Sequence, residues 1–116
     1  MFGAILGDII GQPYEFNRSP KTKNFPLFSK NPKFTDDTVM TIAICDGILK
    51  AGLDADESTM KSSMAKSMHL WGRRYQHAGY GMKFYLWLAR DDAKLKEIEE
   101  EGYDEFLFAY YYFNND

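Results

Sequence analysis

Apolar side chains recur at helical spacing from the start of the chain. In the first segment, the spacing of the apolar residues predicts a helix over residues 2–11. These apolar residues are Phe2, Leu6, Ile9 and Ile10. Gly11 and the nearby Pro13 end that segment. Gly3 and Gly7 share one face, which suggests the close approach of a neighbouring helix or, more simply, tight packing.

The next segment, residues 12–34, shows no periodicity. It holds all four prolines of the chain and a mixture of charges. We expect one long loop of about 20 residues, a length that is uncommon in compact domains unless the loop covers or builds a site.

A second helix is predicted to begin sharply at Thr35-Asp36-Asp37-Thr38. Thr35 or Asp36 can cap the free backbone N–H groups, and acidic side chains suit the positive end of a helix. The body, VMTIAICDGILKA, is apolar on nearly all sides, which indicates a central, buried helix. Gly52 is the expected C-terminal stop.

Further helices are predicted downstream, and no strand-like alternation appears, so the expected fold class is all-α. The third helix covers residues 58–71, with Asp56 or Ser58 as its cap. A glycine-containing loop, GRRYQHAGYG, leads to an apolar helix, MKFYLWLA, that ends near Arg90. The apolar stripe of the third helix is expected to comprise Met60, Met64, Leu70 and Trp71. Residues 91–102 read as an acidic surface helix, whereas periodicity leaves residues 103–113 undecided between helix and strand.

Composition excludes several classes of protein. The 116 residues fit one domain. A net charge of -3 leaves no basic face, which disfavours nucleic acid as a partner. No apolar run of some 18 residues suggests a membrane span, and the N-terminal stretch is not typical of a signal peptide. The single cysteine, Cys45, indicates a reducing, cytoplasmic setting.

The sharpest chemical feature is the acidic pair at the mouth of the second helix. Asp36 and Asp37, flanked by Thr35 and Thr38, present hard oxygen ligands of the kind that Mg²⁺, Mn²⁺ or Ca²⁺ accept. A doubly acidic helix cap uses the same residues, and spacing alone favours capping.

Two loop features are also candidates. Glu15 is a single carboxylate among apolar and aromatic neighbours, as a general acid or base would be, although an exposed loop glutamate is the simpler interpretation. The loop Gly79-Tyr80-Gly81 would let a ligand approach backbone N–H groups, but a plain turn explains it equally well. The remaining chemically versatile side chains are expected to have structural or surface roles, with Cys45 in the core; they are Asp8, Asp46, His69, His77 and Cys45.

Three stretches together resemble the ADP-ribosylglycohydrolase family over about residues 2 to 90. They are GAILGDIIGQPYEF, FTDDTVMTIAICDGIL and WGRRYQHAGYGMKFYLWL. The resemblance implies an all-α fold, two bound Mg²⁺ or Mn²⁺ ions, and hydrolysis of the bond between ADP-ribose and a modified protein side chain or a related conjugate. It also implies residue roles. Thr35, Asp36 and Asp37 match metal ligands, Glu15 matches the acidic residue near the scissile bond, and Gly79, Tyr80 and Gly81 match a loop near the nucleotide.

The sequence departs from the family pattern in its last part. The second metal motif of the family, G-x-D-x-D-T, is absent, so about half of the metal ligands are missing. We therefore expect a shortened family-like region over residues 1–92, followed by a divergent acidic and aromatic tail over residues 93–116. Either that tail, a second copy or a partner protein would cover the apolar face exposed by the missing half. The predicted partner-binding residues in the tail are Tyr110, Tyr111, Tyr112 and Phe113.

Two functions follow as alternatives. The first is a shortened ADP-ribosylglycohydrolase that acts on ADP-ribose conjugates when another chain completes its site. The second is an inactive pseudo-enzyme that inhibits or regulates a protein partner through its tail.

Overall fold

The structure is a computed structural model that describes residues 1–17 and 21–89. Within these residues it consists of helices with no strand, which confirms the all-α fold class. The helices are α1 (Phe2–Gly11), α2 (Asp36–Ala51), α3 (Glu57–Arg74) and α4 (Met82–Leu88). A short 3₁₀ segment, Gln12–Asn17, follows α1 directly. No helix in the described part of the chain is both long and apolar enough to cross a membrane.

The core lies where α2, α3 and α4 meet. Its buried apolar side chains are Val39, Met40, Ala43, Ala65, Met68, Phe84, Trp87 and Leu88. Helix α2 is central, as predicted, but it is not buried on all sides, because Leu49 near its C-terminus is 77% exposed. Gly52 ends the helix with φ at 88°, a backbone conformation that glycine adopts without strain.

Glycine allows a close helix contact, but at a different place from the one predicted. A Cβ atom built on Gly47 of α2 would lie 2.6 Å from the Cα atom of Met64 in α3. At Gly3 and Gly7, by contrast, a Cβ atom would have no neighbour within 4 Å among the residues that the structure describes. The prediction of a tight contact at Gly3 and Gly7 is therefore wrong for this part of the chain.

Helix α3 begins directly after Asp56, one of the two predicted caps, and its predicted apolar stripe is half-buried except at Leu70. The half-buried members of that stripe are Met60, Met64 and Trp71. The Asp56 carboxylate accepts a hydrogen bond from the Thr59 N–H at 2.7 Å. Leu70, assigned to the apolar stripe, is 57% exposed, whereas His69 is buried. Leu70 is exposed because it lies about 200° around the helix from the buried Met68, on the opposite face.

Polar side chains hold the helices together on both sides of α3. The Asp46 carboxylate of α2 accepts hydrogen bonds from Trp71 Nε1 at 3.0 Å and Ser67 Oγ at 3.1 Å. On the other side, His69 Nδ1 lies 3.2 Å from the Leu88 carbonyl oxygen of α4. Asp46 and His69 thus contribute to packing, in agreement with their predicted structural roles.

The long connection before α2 is irregular except at its beginning. The predicted loop over residues 12–34 starts with the 3₁₀ segment and then continues without regular structure in the described residues. The predicted acidic helix over residues 91–102 and the aromatic stretch with Tyr110, Tyr111, Tyr112 and Phe113 lie outside the described residues.

Candidate metal centre

The site is built where α1 meets the N-terminus of α2, and Asp8 joins the two helices. One Asp8 oxygen accepts from Thr35 Oγ1 at 2.6 Å. The other accepts from the Thr35 N–H at 2.7 Å, from Thr38 Oγ1 at 2.6 Å and from the Thr38 N–H at 3.3 Å. Burial raises the pKa of Asp8, but these hydrogen bonds outweigh it and hold the pKa below its usual value.

Thr35 is the residue that caps α2. Its backbone is extended, with φ at -119° and ψ at -170°, and its hydroxyl accepts from the Asp37 N–H at 3.3 Å. Asp36 and Asp37 occupy the first turn, where the positive end of the helix stabilises negative charge. Capping therefore explains Thr35 without using the Asp37 carboxylate as a cap.

Three carboxylates converge beside this cap. One oxygen each from Asp8, Glu15 and Asp37 lie within 4.8 Å of one another. Glu15 lies in the 3₁₀ segment that follows α1, and the chain kinks there, with ψ of Glu15 at 157° and φ of Phe16 at 54°. A positive φ is uncommon for a residue other than glycine and marks local backbone strain next to the cluster.

Asp8 is the member of the cluster that sequence reasoning did not assign to the site. The signal was present, because an aspartate on the first apolar helix must find partners if it is buried, and Asp8 is only 9% exposed. Its partners lie 27 to 30 residues away along the chain, beyond the reach of any local pattern.

Asp36 lies in a different environment from Asp37. Its N–H donates to the Ala78 carbonyl oxygen at 2.8 Å, and its Oδ1 lies 4.0 Å from the position of a Cβ atom on Gly79. Burial, followed by the neighbouring charge of Asp37, raises the pKa of Asp36 to about 6. Asp36 does not belong to the three-carboxylate cluster found among the described residues, so the predicted Thr35-Asp36-Asp37 ligand set divides between two environments.

The predicted ligand-binding loop packs against the Asp36 side of the helix terminus. Gly79 has φ at 102°, which favours glycine. Burial and the charge of Asp36 raise the pKa of Tyr80 to about 12, and the buried Tyr80 hydroxyl has no hydrogen-bond partner among the described residues. Gly81 is the N-cap of α4. The loop is thus adjacent to the candidate site.

An open groove of about 770 Å³ runs beside the carboxylates between α1 and α2. Glycines leave room on the α1 side, and Thr41 and Gln12 add polar groups. The lining residues other than the three carboxylates are Ala4, Gly7, Gly11, Gln12, Met40, Thr41, Ile44 and Cys45. Cys45 is half-buried and borders this groove, which corrects its predicted place in the core.

The donor set suits a hard divalent cation. Three carboxylates within 4.8 Å repel one another in the absence of positive charge, and oxygen donors are the ligands that Mg²⁺ and Mn²⁺ prefer. With water in the remaining positions, this cluster fits one such ion.

A partial copy of the missing second motif lies far from this cluster. Gly52-Leu53-Asp54-Ala55-Asp56 follows the letters G-x-D-x-D, but Glu57 stands where the motif requires threonine. Asp56 caps α3, and the stretch begins at the opposite end of α2, about 24 Å from Thr35 by the rise of a helix of this length. It therefore does not complete the metal centre.

Comparison with known proteins identifies the family. The profile of the ADP-ribosylglycohydrolase family matches residues 1–103, so the chain belongs to the ADP-ribosylglycohydrolase family. No curated protein and no solved structure matches the chain. The family as a whole is metal-dependent, in agreement with a carboxylate cluster at this position.

The raised pKa of Asp36 gives a testable pH dependence of stability. Because the folded-state pKa of about 6 exceeds the ordinary value of 3.8, the folded chain takes up a proton before the unfolded chain does. The free energy of unfolding should therefore rise by about 1 kcal/mol as the pH falls from 7.5 to 4.5, after allowance for solvent screening. Urea denaturation in EDTA measures this change.

Asp36→Asn is the control for that experiment. The difference between wild type and Asp36→Asn isolates this carboxyl, and the lowered pKa values of Asp8, Asp46 and Asp56 affect stability only below about pH 4. A difference that stays constant from pH 7.5 to 4.5 would show that Asp36 is not held in its neutral form.

Proposed function

We propose that this chain forms the cation-binding part of an ADP-ribosylglycohydrolase active site. Its reaction is hydrolysis of ADP-ribose from a modified protein or from a related ADP-ribose conjugate. The observation that carries this proposal is the convergence of Asp8, Glu15 and Asp37 within 4.8 Å at the edge of an open groove. The cluster occurs within the region that matches the family.

Mg²⁺ or Mn²⁺ is the proposed cofactor. Glu15 and Asp37 would hold it through carboxylate oxygens, with the Thr35 hydroxyl beside them. The family resemblance also assigns Asp36 to the ligand set, but its carboxylate lies outside this cluster, and burial favours its protonated form below about pH 6. When bound, such an ion supplies an anchor for ribose hydroxyls and positive charge near the scissile bond.

Glu15 is the proposed general base. It lies at the cluster and also lines the groove that would hold the substrate. In that position the carboxylate oxygen that does not bind the ion would take a proton from water. Gly79, Tyr80 and Gly81, on the Asp36 side of the helix terminus, are the proposed contacts to the nucleotide.

Other residues must supply the rest of the site. Residues 1–116 hold no G-x-D-x-D-T motif, so in this proposal the remaining ligands come from outside them. A second polypeptide that packs on the exposed apolar side chains of the described region is the proposed source. Candidate contacts on α1 are Phe2, which is 78% exposed, and Leu6, which is 47% exposed.

The test is release of ADP-ribose from an ADP-ribosylated protein, measured by chromatography. We expect release in Mg²⁺ when the completing polypeptide is present, loss of release in EDTA, and a rate at least about 100-fold lower for Glu15→Gln. Glu57→Gln is the matched control, because Glu57 is an exposed glutamate paired with Lys61 on α3. Equal rates for wild type and Glu15→Gln, or release that continues in EDTA, would contradict the proposal.

A second candidate is a regulatory protein without catalysis. Two observations favour it, namely the exposed Phe2 and Leu6 on α1 and the tyrosine-rich stretch at residues 110–113, which lies beyond the family match. A protein partner or a second copy of the chain would bind through that stretch. Deletion of residues 103–116 should then abolish partner binding while the helical circular dichroism signal remains; binding that persists without these residues would exclude this candidate.

A further inference from the structure

We propose that Asp8 is a positioning residue that orients the Thr35 hydroxyl, rather than a direct ligand of the cation. The inference deepens the proposed function and rests on it, because the hydroxyl acts on a cation bound at this site. Asp8, Glu15 and Asp37 lie equally close together, and the inference assigns Asp8 a different role from the other two.

Asp8 is already engaged by four donors. Its Oδ2 accepts from the Thr35 N–H, the Thr38 N–H and the Thr38 hydroxyl, which is more than its two lone pairs accept in ideal geometry. Its Oδ1 accepts from the Thr35 hydroxyl at 2.6 Å. The structure assigns no comparable set of donors to Glu15 or to the carboxylate of Asp37, which therefore remain the better ligands within the described cluster.

The same contacts fix the direction of the Thr35 hydroxyl proton. Thr35 Oγ1 donates to Asp8 at 2.6 Å and accepts from the Asp37 N–H at 3.3 Å. Because the hydroxyl proton is donated to Asp8 and one lone pair accepts from the Asp37 N–H, Oγ1 keeps one further lone pair that could bind a cation. Groups outside the immediate ligands commonly act in this way, and their loss weakens metal affinity by about 10- to 100-fold.

Asparagine at position 8 would disturb this arrangement with almost no change in volume. Its amide NH₂ is a donor and would face the donors of Thr35 or Thr38, so one hydroxyl would have to turn. If the Thr35 proton turned, it would occupy the lone-pair direction that a cation needs. A direct ligand would lose affinity too, but independently of Thr35.

A double-mutant cycle on Mn²⁺ affinity distinguishes the two roles, with electron paramagnetic resonance as the readout of free Mn²⁺. We expect Asp8→Asn and Thr35→Val each to weaken binding by about 10- to 100-fold, and the double variant to bind no more weakly than Thr35→Val alone. Asp46→Asn is the matched control, since Asp46 also accepts a hydroxyl and an indole N–H hydrogen bond from a second helix, and it should leave the affinity unchanged.

The outcomes separate this inference from the proposed function. If the fold-losses of Mn²⁺ affinity in the two single variants multiply in the double variant, Asp8 is a direct ligand. That result would overturn the inference but not the proposed cation site. Wild-type chain that binds no Mn²⁺ would overturn both. If Asp8→Asn does not fold in EDTA, the Mn²⁺ affinity of Thr35→Val still tests the inference. Full affinity in Thr35→Val overturns it, because Asp8 would then have no hydroxyl to act through.

Discussion

Replacement of Gly47 by alanine should lower the free energy of unfolding by about 2 kcal/mol, a large effect for one added methyl group. The new Cβ would lie 2.6 Å from Met64 Cα and 3.0 Å from both Met64 N and the Ser63 carbonyl oxygen. These are backbone atoms of α3, so the two helices would have to separate. Alanine has a higher helix propensity than glycine, which offsets about 1 kcal/mol of the cost.

Gly72→Ala is the matched control for Gly47→Ala. Its Cβ would lie 2.6 Å and 2.7 Å from the two δ-carbons of Leu88, which belong to a side chain and can move. We expect a loss of less than about 1 kcal/mol, because the gain in helix propensity offsets the repacking. Urea denaturation followed by circular dichroism measures both variants. Equal losses at the two positions would mean that the α2–α3 contact is looser than the structure shows.

Asp37→Asn should weaken Mn²⁺ binding by at least about 100-fold and leave the free energy of unfolding within about 0.5 kcal/mol of wild type. The carboxylate is exposed and belongs to the cluster with Asp8 and Glu15. Its removal relieves repulsion between like charges but forfeits a favourable charge at the N-terminus of α2, and these two effects oppose each other.

Asp54→Asn controls for the loss of a negative charge, since Asp54 is an exposed aspartate in the turn after α2. It should change neither Mn²⁺ affinity nor stability. If Asp37→Asn bound Mn²⁺ as tightly as Asp54→Asn, the assignment of the metal centre to the cluster that contains Asp37 would be wrong. A large loss of stability in Asp37→Asn would instead give this carboxylate a structural role.

The starts of the helices were the most predictable part of the fold because they depend on local chemistry. The segment 2–11 and the start of α2 after Thr35 follow from apolar spacing and from capping residues adjacent in sequence. The end of α3 was less predictable, since the helix continues to Arg74, three residues beyond its predicted end. Which face each helix buries was also less predictable. Leu70 is exposed and Gly47 rather than Gly3 meets a neighbouring backbone, because those contacts depend on how α2 and α3 cross.

The candidate site was predictable in its chemistry but not in its geometry. The types of residue and the family resemblance selected Glu15 and Asp37, which are 22 positions apart, and the structure brings them together. The separate direction of Asp36 and the four hydrogen bonds to Asp8 arise from long-range docking of α1 and of the Gly79 loop on α2. No local periodicity specifies that docking.

The most direct test of a cation-dependent ADP-ribose site is calorimetric titration of ADP-ribose into the purified chain, first in Mg²⁺ and then in EDTA. We expect saturable binding in Mg²⁺ that disappears in EDTA and in Asp37→Asn, while Asp54→Asn behaves as wild type. Absence of binding in Mg²⁺, or equal binding in Mg²⁺ and EDTA, would contradict a functional cation-dependent site in this chain.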